Sequence, residues 1–200
     1  MLLTQAVGLL VVFAVYAAHA EETTTKPYED DPSHSSEQDI SKAAEVTDNW
    51  VVKRRNIPST GYSCHSATRL SGDGTTYKYK FSVRNDTTQQ LITWEVDMTT
   101  KTTDGHEKPN AVSYKYLNEQ LYPGAPTLVS KLMTEDLDGG CALFVTPFQF
   151  PGVGEYKVCM LVMKKSKVTG GIPEKCESVY SEHCPHLVPE EDEPWKTDCQ

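Results

Sequence analysis

The stretch CALFVTPFQFPGVGEYKVCMLV, residues 141–162, holds two apolar runs joined by a proline–glycine turn, and each run carries one cysteine. Short apolar runs bounded by turn residues read as a pair of antiparallel strands. Two cysteine-bearing strands side by side suit a metal site, a redox couple or a disulfide-stapled wall. The spacing of all the cysteines separates these readings. They are Cys64, Cys141, Cys159, Cys176, Cys184 and Cys199, with gaps of 77, 18, 17, 8 and 15 residues. No C-x-x-C occurs, so the close pair that marks a zinc ribbon or a thioredoxin-like site is missing. An even count in a secreted chain points to disulfides.

Secretion is itself read from the first twenty residues, MLLTQAVGLLVVFAVYAAHA. They carry no charge, have a long apolar core and end in Ala18-His19-Ala20, a small-x-small cleavage site. Residues 1–20 therefore read as a signal peptide, too short and too early for a membrane span. No later segment reaches the roughly 18 apolar residues that a spanning helix needs. The mature chain is expected to be extracellular and to form one domain with a real core. Its 28 acidic and 19 basic residues leave a net charge of −9, which disfavours nucleic acid as a partner.

Residues 21–38 open the mature chain as an acidic, proline-bearing leader with almost nothing apolar, expected to be disordered. The folded domain is expected over 39–200. A short helix fits 39–48, and eight strand-like runs follow: 49–56, 61–70, 77–85, 91–100, 111–117, 127–136, 141–146 and 155–165. The alternation is cleanest in two of them. Tyr77, Tyr79, Phe81 and Val83 share one face of their strand, and Ile92, Trp94, Val96 and Met98 share one face of the next. Eight consecutive antiparallel strands with no intervening helix predict an all-β fold, a closed up-and-down barrel wide enough for one small ligand. An immunoglobulin-like sandwich fits poorly, because no tyrosine-corner motif precedes Cys141.

After the last strand, Pro173 opens a helical stretch over 173–184. Cys176, Tyr180 and Cys184 fall on one face of it, with the two cysteines about 12 Å apart along the axis. That is too far for them to bridge each other, so their partners lie elsewhere and the strand cysteines are the natural candidates.

Taken together, several features resemble the tick salivary lipocalins of the histamine-binding-protein family. They are Trp50 in a first strand after a short helix, the Cys64-His-Ser-Ala-Thr second strand, the Leu-x3-Asp-Leu-x3-Cys-Ala-Leu approach to Cys141, and the Pro-x2-Cys-x3-Tyr-x3-Cys segment at 173–184 with a final Cys199. The resemblance spans most of the mature chain. It implies an eight-stranded lipocalin barrel with bridges Cys64–Cys199 and Cys141–Cys176, which leaves Cys159 and Cys184 for each other. It also implies a job: sequestering a small host mediator (an amine, a lipid or a sterol) at a feeding site, or binding a host protein.

In amine-binding relatives a motif resembling Cys-Asp-(Val/Ile/Leu), then Glu-Leu-(Trp/Tyr), supplies the carboxylates that a buried ammonium needs. Here the matching positions are Ala142-Leu143 and Met160-Leu161-Val162, without acid or aromatic ring. The expected lining is instead Trp50, Tyr77, Tyr79, Phe81, Ile92 and Trp94, with Val96, Met98, Tyr114, Tyr116, Val158 and Met160. Such a wall suits an apolar or aromatic ligand with a polar handle. The favoured ligand is thus a sterol, fatty acid or eicosanoid. A histamine or serotonin scavenger is the alternative, with Glu95 and Asp97 as the candidate ammonium partners mid-strand. A third reading is a protein-binding immunomodulator that uses the acidic leader or the outer wall.

No enzyme, cofactor or metal is expected. His106-Glu107-Lys108-Pro109-Asn110 is not H-E-x-x-H, and its proline forbids the helix that motif requires. Ser63, His65 and Ser66 crowd together without a G-x-S-x-G elbow, and strict alternation sends His65 to the face opposite Ser66. His183 and His186 flank Cys184, which a bridge already needs. Asn85-Asp86-Thr87 is an N-glycosylation sequon after a strand.

Overall fold

The computed structural model describes residues 26–116, 124, 126–150 and 154–199. The expected signal peptide and residues 21–25 lie outside them. Eight antiparallel strands close into a barrel in strict sequence order: β1 (Trp50–Arg55), β2 (Tyr62–Asp73), β3 (Thr76–Asn85), β4 (Leu91–Lys101), β5 (Ala111–Lys115), β6 (Thr127–Asp136), β7 (Cys141–Phe150) and β8 (Gly154–Lys164). Closure comes from β1 pairing with β8, where Trp50 faces Lys164 and Val52 faces Val162. No sheet edge is left, which removes the hazard of edge pairing.

The opening stretch forms β7 and β8, paired from Cys141↔Met163 to Phe150↔Gly154. Both strands are apolar on both faces, and the structure shows why. Ala142, Phe144, Met160 and Val162 pack inside with Trp50 and Leu132. Cys141, Leu143, Val145, Cys159, Leu161 and Met163 form a second, external core with the helix α2 (Glu174–His183). That helix buries Cys176, Val179 and Tyr180 against the outer wall. Three disulfides hold the arrangement, Cys64–Cys199, Cys141–Cys176 and Cys159–Cys184, and no cysteine is free. Closing a loop of 135 residues, as Cys64–Cys199 does, stabilises by about 4–5 kcal/mol in the chain-entropy model.

A short helix α1 (Ile40–Ala44), capped by the Asp39 carboxylate accepting from Ser41 N–H at 3.2 Å, closes one end of the barrel. Its orphan carbonyls meet donors from the wall. Trp50 Nε1 donates to Ala43 O at 3.3 Å and Tyr79 OH to Ala44 O at 3.0 Å. After α2 the chain runs as a strap back to the first strands. Asp192 exchanges backbone hydrogen bonds with Arg55, and Cys64 N–H donates to Pro194 O at 2.7 Å. Beneath the strap the Arg55 guanidinium and Asp192 carboxylate form a buried ion pair at 2.6 Å.

Residues 26–38 correct the expectation of a disordered leader. They fold as two 3-10 turns, Tyr28–Asp30 and Pro32–Glu37, laid against the barrel. Each leader acid that matters finds a distant lysine: Glu29 with Lys157 at 2.6 Å, Asp30 with Lys131 at 2.5 Å, Glu37 with Lys175 at 2.8 Å. The Tyr28 ring stacks on His34 and lies against His183, with centroids 3.9 and 4.4 Å away, while its hydroxyl donates to Glu37. Gln38 is fully buried between Tyr28 O and His106. Composition misjudges this segment because its compensating partners lie more than 60 residues away in sequence.

Candidate functional site

The barrel is hollow. Its interior holds a cavity of about 140 Å³, floored by Ile40, Ala43 and Ala44 of α1 and walled by side chains from every strand except β4's middle. Of the expected lining residues, Trp50, Tyr77, Tyr79, Phe81, Met98, Tyr114, Tyr116 and Met160 border this space. Ile92, Trp94, Val96 and Val158 do not. Trp94 and Val96 instead pack with Val83, Phe81 and Ile92 as a solid plug of side chains beside the cavity. The plug is aromatic: Phe81, Trp94 and Tyr116 meet edge to face or tilted, with centroids 5.5–5.9 Å apart. The Trp94 indole N–H donates to Tyr116 O at 2.6 Å, which locks the ring down.

Glu95 and Asp97 are placed on the outer wall. Their side chains are 61% and 72% exposed, and both pair with Lys78 at 3.5 and 3.1 Å. This corrects their candidacy as ammonium partners: period-two alternation turns them outward because Trp94, Val96 and Met98 turn inward. Among the described residues no Asp, Glu, Lys or Arg borders the cavity.

The polar groups it does present are few. Tyr114 OH lies 3.1 Å from Ser130 Oγ, which lies 2.6 Å from Thr146 Oγ1, a hydroxyl chain across β5, β6 and β7. Burial pushes the phenols of Tyr79 and Tyr116 up to about 12, so neither becomes a phenolate. His65 also borders the cavity, together with Ser66. Ala67 packs inside with Trp50 and Tyr79, so alternation from it sends His65 to the same inward face, with a β-bulge beside it. Between Ser63↔Arg84 and Ser66↔Ser82, β2 spends one residue more than β3. Cys64, held by its bridge to Cys199 and by Pro194, takes a left-handed φ of 55° within the bulge. The signal for this was faint, since cysteine is not a residue that advertises positive φ. Desolvation, then the nearby Arg55 cation, hold the His65 imidazole down to about 4.

Sequon residue Asn85 ends β3, half-exposed, with its Oδ1 accepting from Thr87 and Thr88 N–H at 2.9 Å each.

A closed eight-strand barrel with a capped end, an external helix and one apolar interior cavity is the lipocalin fold, a class of small-molecule binders. The chain belongs to the tick histamine-binding protein family, whose model matches residues 28–200. Among solved structures it is similar to insecticyanin of the tobacco hornworm Manduca sexta (16% identity, TM-score 0.60, covering 82% of this chain and 85% of that one). It is also similar to Japanin from Rhipicephalus appendiculatus bound to cholesterol (16%, TM-score 0.50, 72% and 91%). A third likeness is AM182 in complex with serotonin (11%, TM-score 0.52, 80% and 92%). No curated protein matches the sequence. Among the described residues no helix is long and apolar enough to cross a membrane.

Proposed function

We propose that the protein is a secreted salivary lipocalin that sequesters a small, predominantly apolar host mediator in its barrel, damping the host's inflammatory or immune response. One observation carries this reading: every described side chain bordering the cavity is uncharged, with His65 as the single ionisable nitrogen and that one held neutral. An ammonium ligand would enter without a carboxylate partner and lose several kcal/mol to desolvation. A fatty acid or eicosanoid places its chain inside and leaves its carboxylate at the mouth.

Volume narrows the choice. Ligand pockets for drug-sized molecules run to roughly 300–1,000 Å³, and an apolar void of about 150 Å³ already holds benzene. The present 140 Å³ therefore suits a slender aliphatic chain as it stands. A sterol body needs Phe81 or Tyr116 to swing aside. Cholesterol in Japanin and serotonin in AM182 mark the apolar and the aminergic ends of what similar barrels hold. The lining here supports the apolar end. The leader's acids already engage the protein's own lysines, which leaves the protein-binding reading with less to work with. An N-glycan on Asn85 is part of the proposal for a secreted chain.

Displacement of a fluorescent fatty acid by lipids, run beside calorimetry with histamine and serotonin, tests the reading. Micromolar or tighter lipid binding with no measurable amine binding is expected. Submicromolar histamine binding would overturn it.

A further inference from the structure

His65 is the one chemically distinctive group in the cavity that apolar sequestration leaves unused. It is buried, with 7% residual exposure, and shares the inward face of Ala67 two residues on. Its Nε2 lies 3.1 Å from Tyr62 O. A carbonyl oxygen only accepts, so Nε2 must carry the proton and donate it. In a neutral imidazole that leaves Nδ1 as a bare lone pair. Nδ1 makes no hydrogen bond among the described residues. The cavity thus presents a strong acceptor on β2. On β6, four strands away around the closed ring, stands Ser130 with its neighbours Tyr114 and Thr146.

We propose, resting on the apolar reading above, that the cavity selects an uncharged lipid alcohol, whose O–H donates to His65 Nδ1. The chemistry excludes other heads at this point. An ionised carboxylate has no proton to donate and would set its oxygens against the Nδ1 lone pair. An ether likewise only accepts. An ammonium donates well, but its charge finds no counter-ion among the described lining residues. A hydroxyl alone matches the acceptor without bringing a charge inside.

The test uses the full mature protein and ten-carbon compounds that differ only in the head: decanol, methoxydecane, decanoic acid and decylamine. Each displaces the neutral fluorophore phenylnaphthylamine at neutral pH. Decanol is expected to bind about tenfold more tightly than methoxydecane, the worth of one buried hydrogen bond. His65→Phe should abolish that gap, so that alcohol and ether bind alike whatever their common affinity becomes, and His65→Gln, which keeps an acceptor oxygen, should retain part of it. In the parent protein the ¹⁵N resonance of His65 Nδ1 should shift with decanol and stay still with methoxydecane. Equal affinity for alcohol and ether, or an unmoved Nδ1 resonance, overturns the His65 assignment and leaves the apolar reading standing. If no compound displaces the fluorophore, both fall.

Discussion

Ala67 offers a way to ask whether the ligand sits in the lumen at all. It borders the cavity from β2, between Trp50 on β1 and Phe81 on β3. Ala67→Leu adds three carbons to a space of about 140 Å³. For a slender chain those carbons displace roughly three ligand methylenes, each worth about 0.8 kcal/mol of burial. The loss is about 2.4 kcal/mol, or roughly 50-fold in affinity. Folding moves the other way, because the same carbons fill an apolar void. The gain is up to about 2 kcal/mol before any strain from tight packing is subtracted. At about 2–4 °C per kcal/mol for a domain of this size, Tm should hold or rise by several degrees. Thr68→Leu, one residue along and not bordering the cavity, is the control. Fluorophore displacement and a thermal scan on the same samples read both effects. An affinity within twofold of the parent, with Tm unchanged or raised, would refute binding inside the barrel.

Three other expectations follow from particular contacts. Asp192→Asn leaves the buried Arg55 guanidinium without its counter-charge, which should cost about 3–5 kcal/mol and show as a Tm loss of roughly 6–20 °C, while Arg55→Met/Asp192→Leu should recover most of it. Deleting residues 26–38 should lower Tm by at least about 4 °C and open the chain to limited proteolysis, since Lys131, Lys157 and Lys175 lose their acidic partners and the buried Gln38 is removed. The His65 imidazole takes a proton near 6.5 when unfolded but only near about 4 when folded. Between those values the unfolded state binds more protons, so stability is full above pH 6.5 and falls as pH drops toward 4, by up to about 3 kcal/mol. Denaturant titrations across that window should show the fall in the parent and lose it in His65→Gln.

Much of the barrel was legible from local signals. The eight runs, their turns and the inward set on β3 and β4 follow from a period of two and from turn residues, both local properties of the chain. All eight expected strands occur, the fifth ending at Lys115 and the seventh running on to Phe150. The outward turn of Glu95 and Asp97 was implicit in the same alternation, once the aromatic face was taken as the interior. What alternation cannot express is interruption. The bulge at Cys64 and His65 sits beside a disulfide partner 135 residues away and Pro194 in the strap, neither of which a local window of sequence contains. The same holds for the leader, whose order rests on lysines of β6, β8 and α2 rather than on its own composition. The sequence by itself determined the class of fold and the absence of charge at Ala142, Met160 and Val162. Tertiary structure decided how much room that wall encloses and which polar atoms look into it. Volume and orientation are sums over contacts distant in the chain, and no local window of residues contains them.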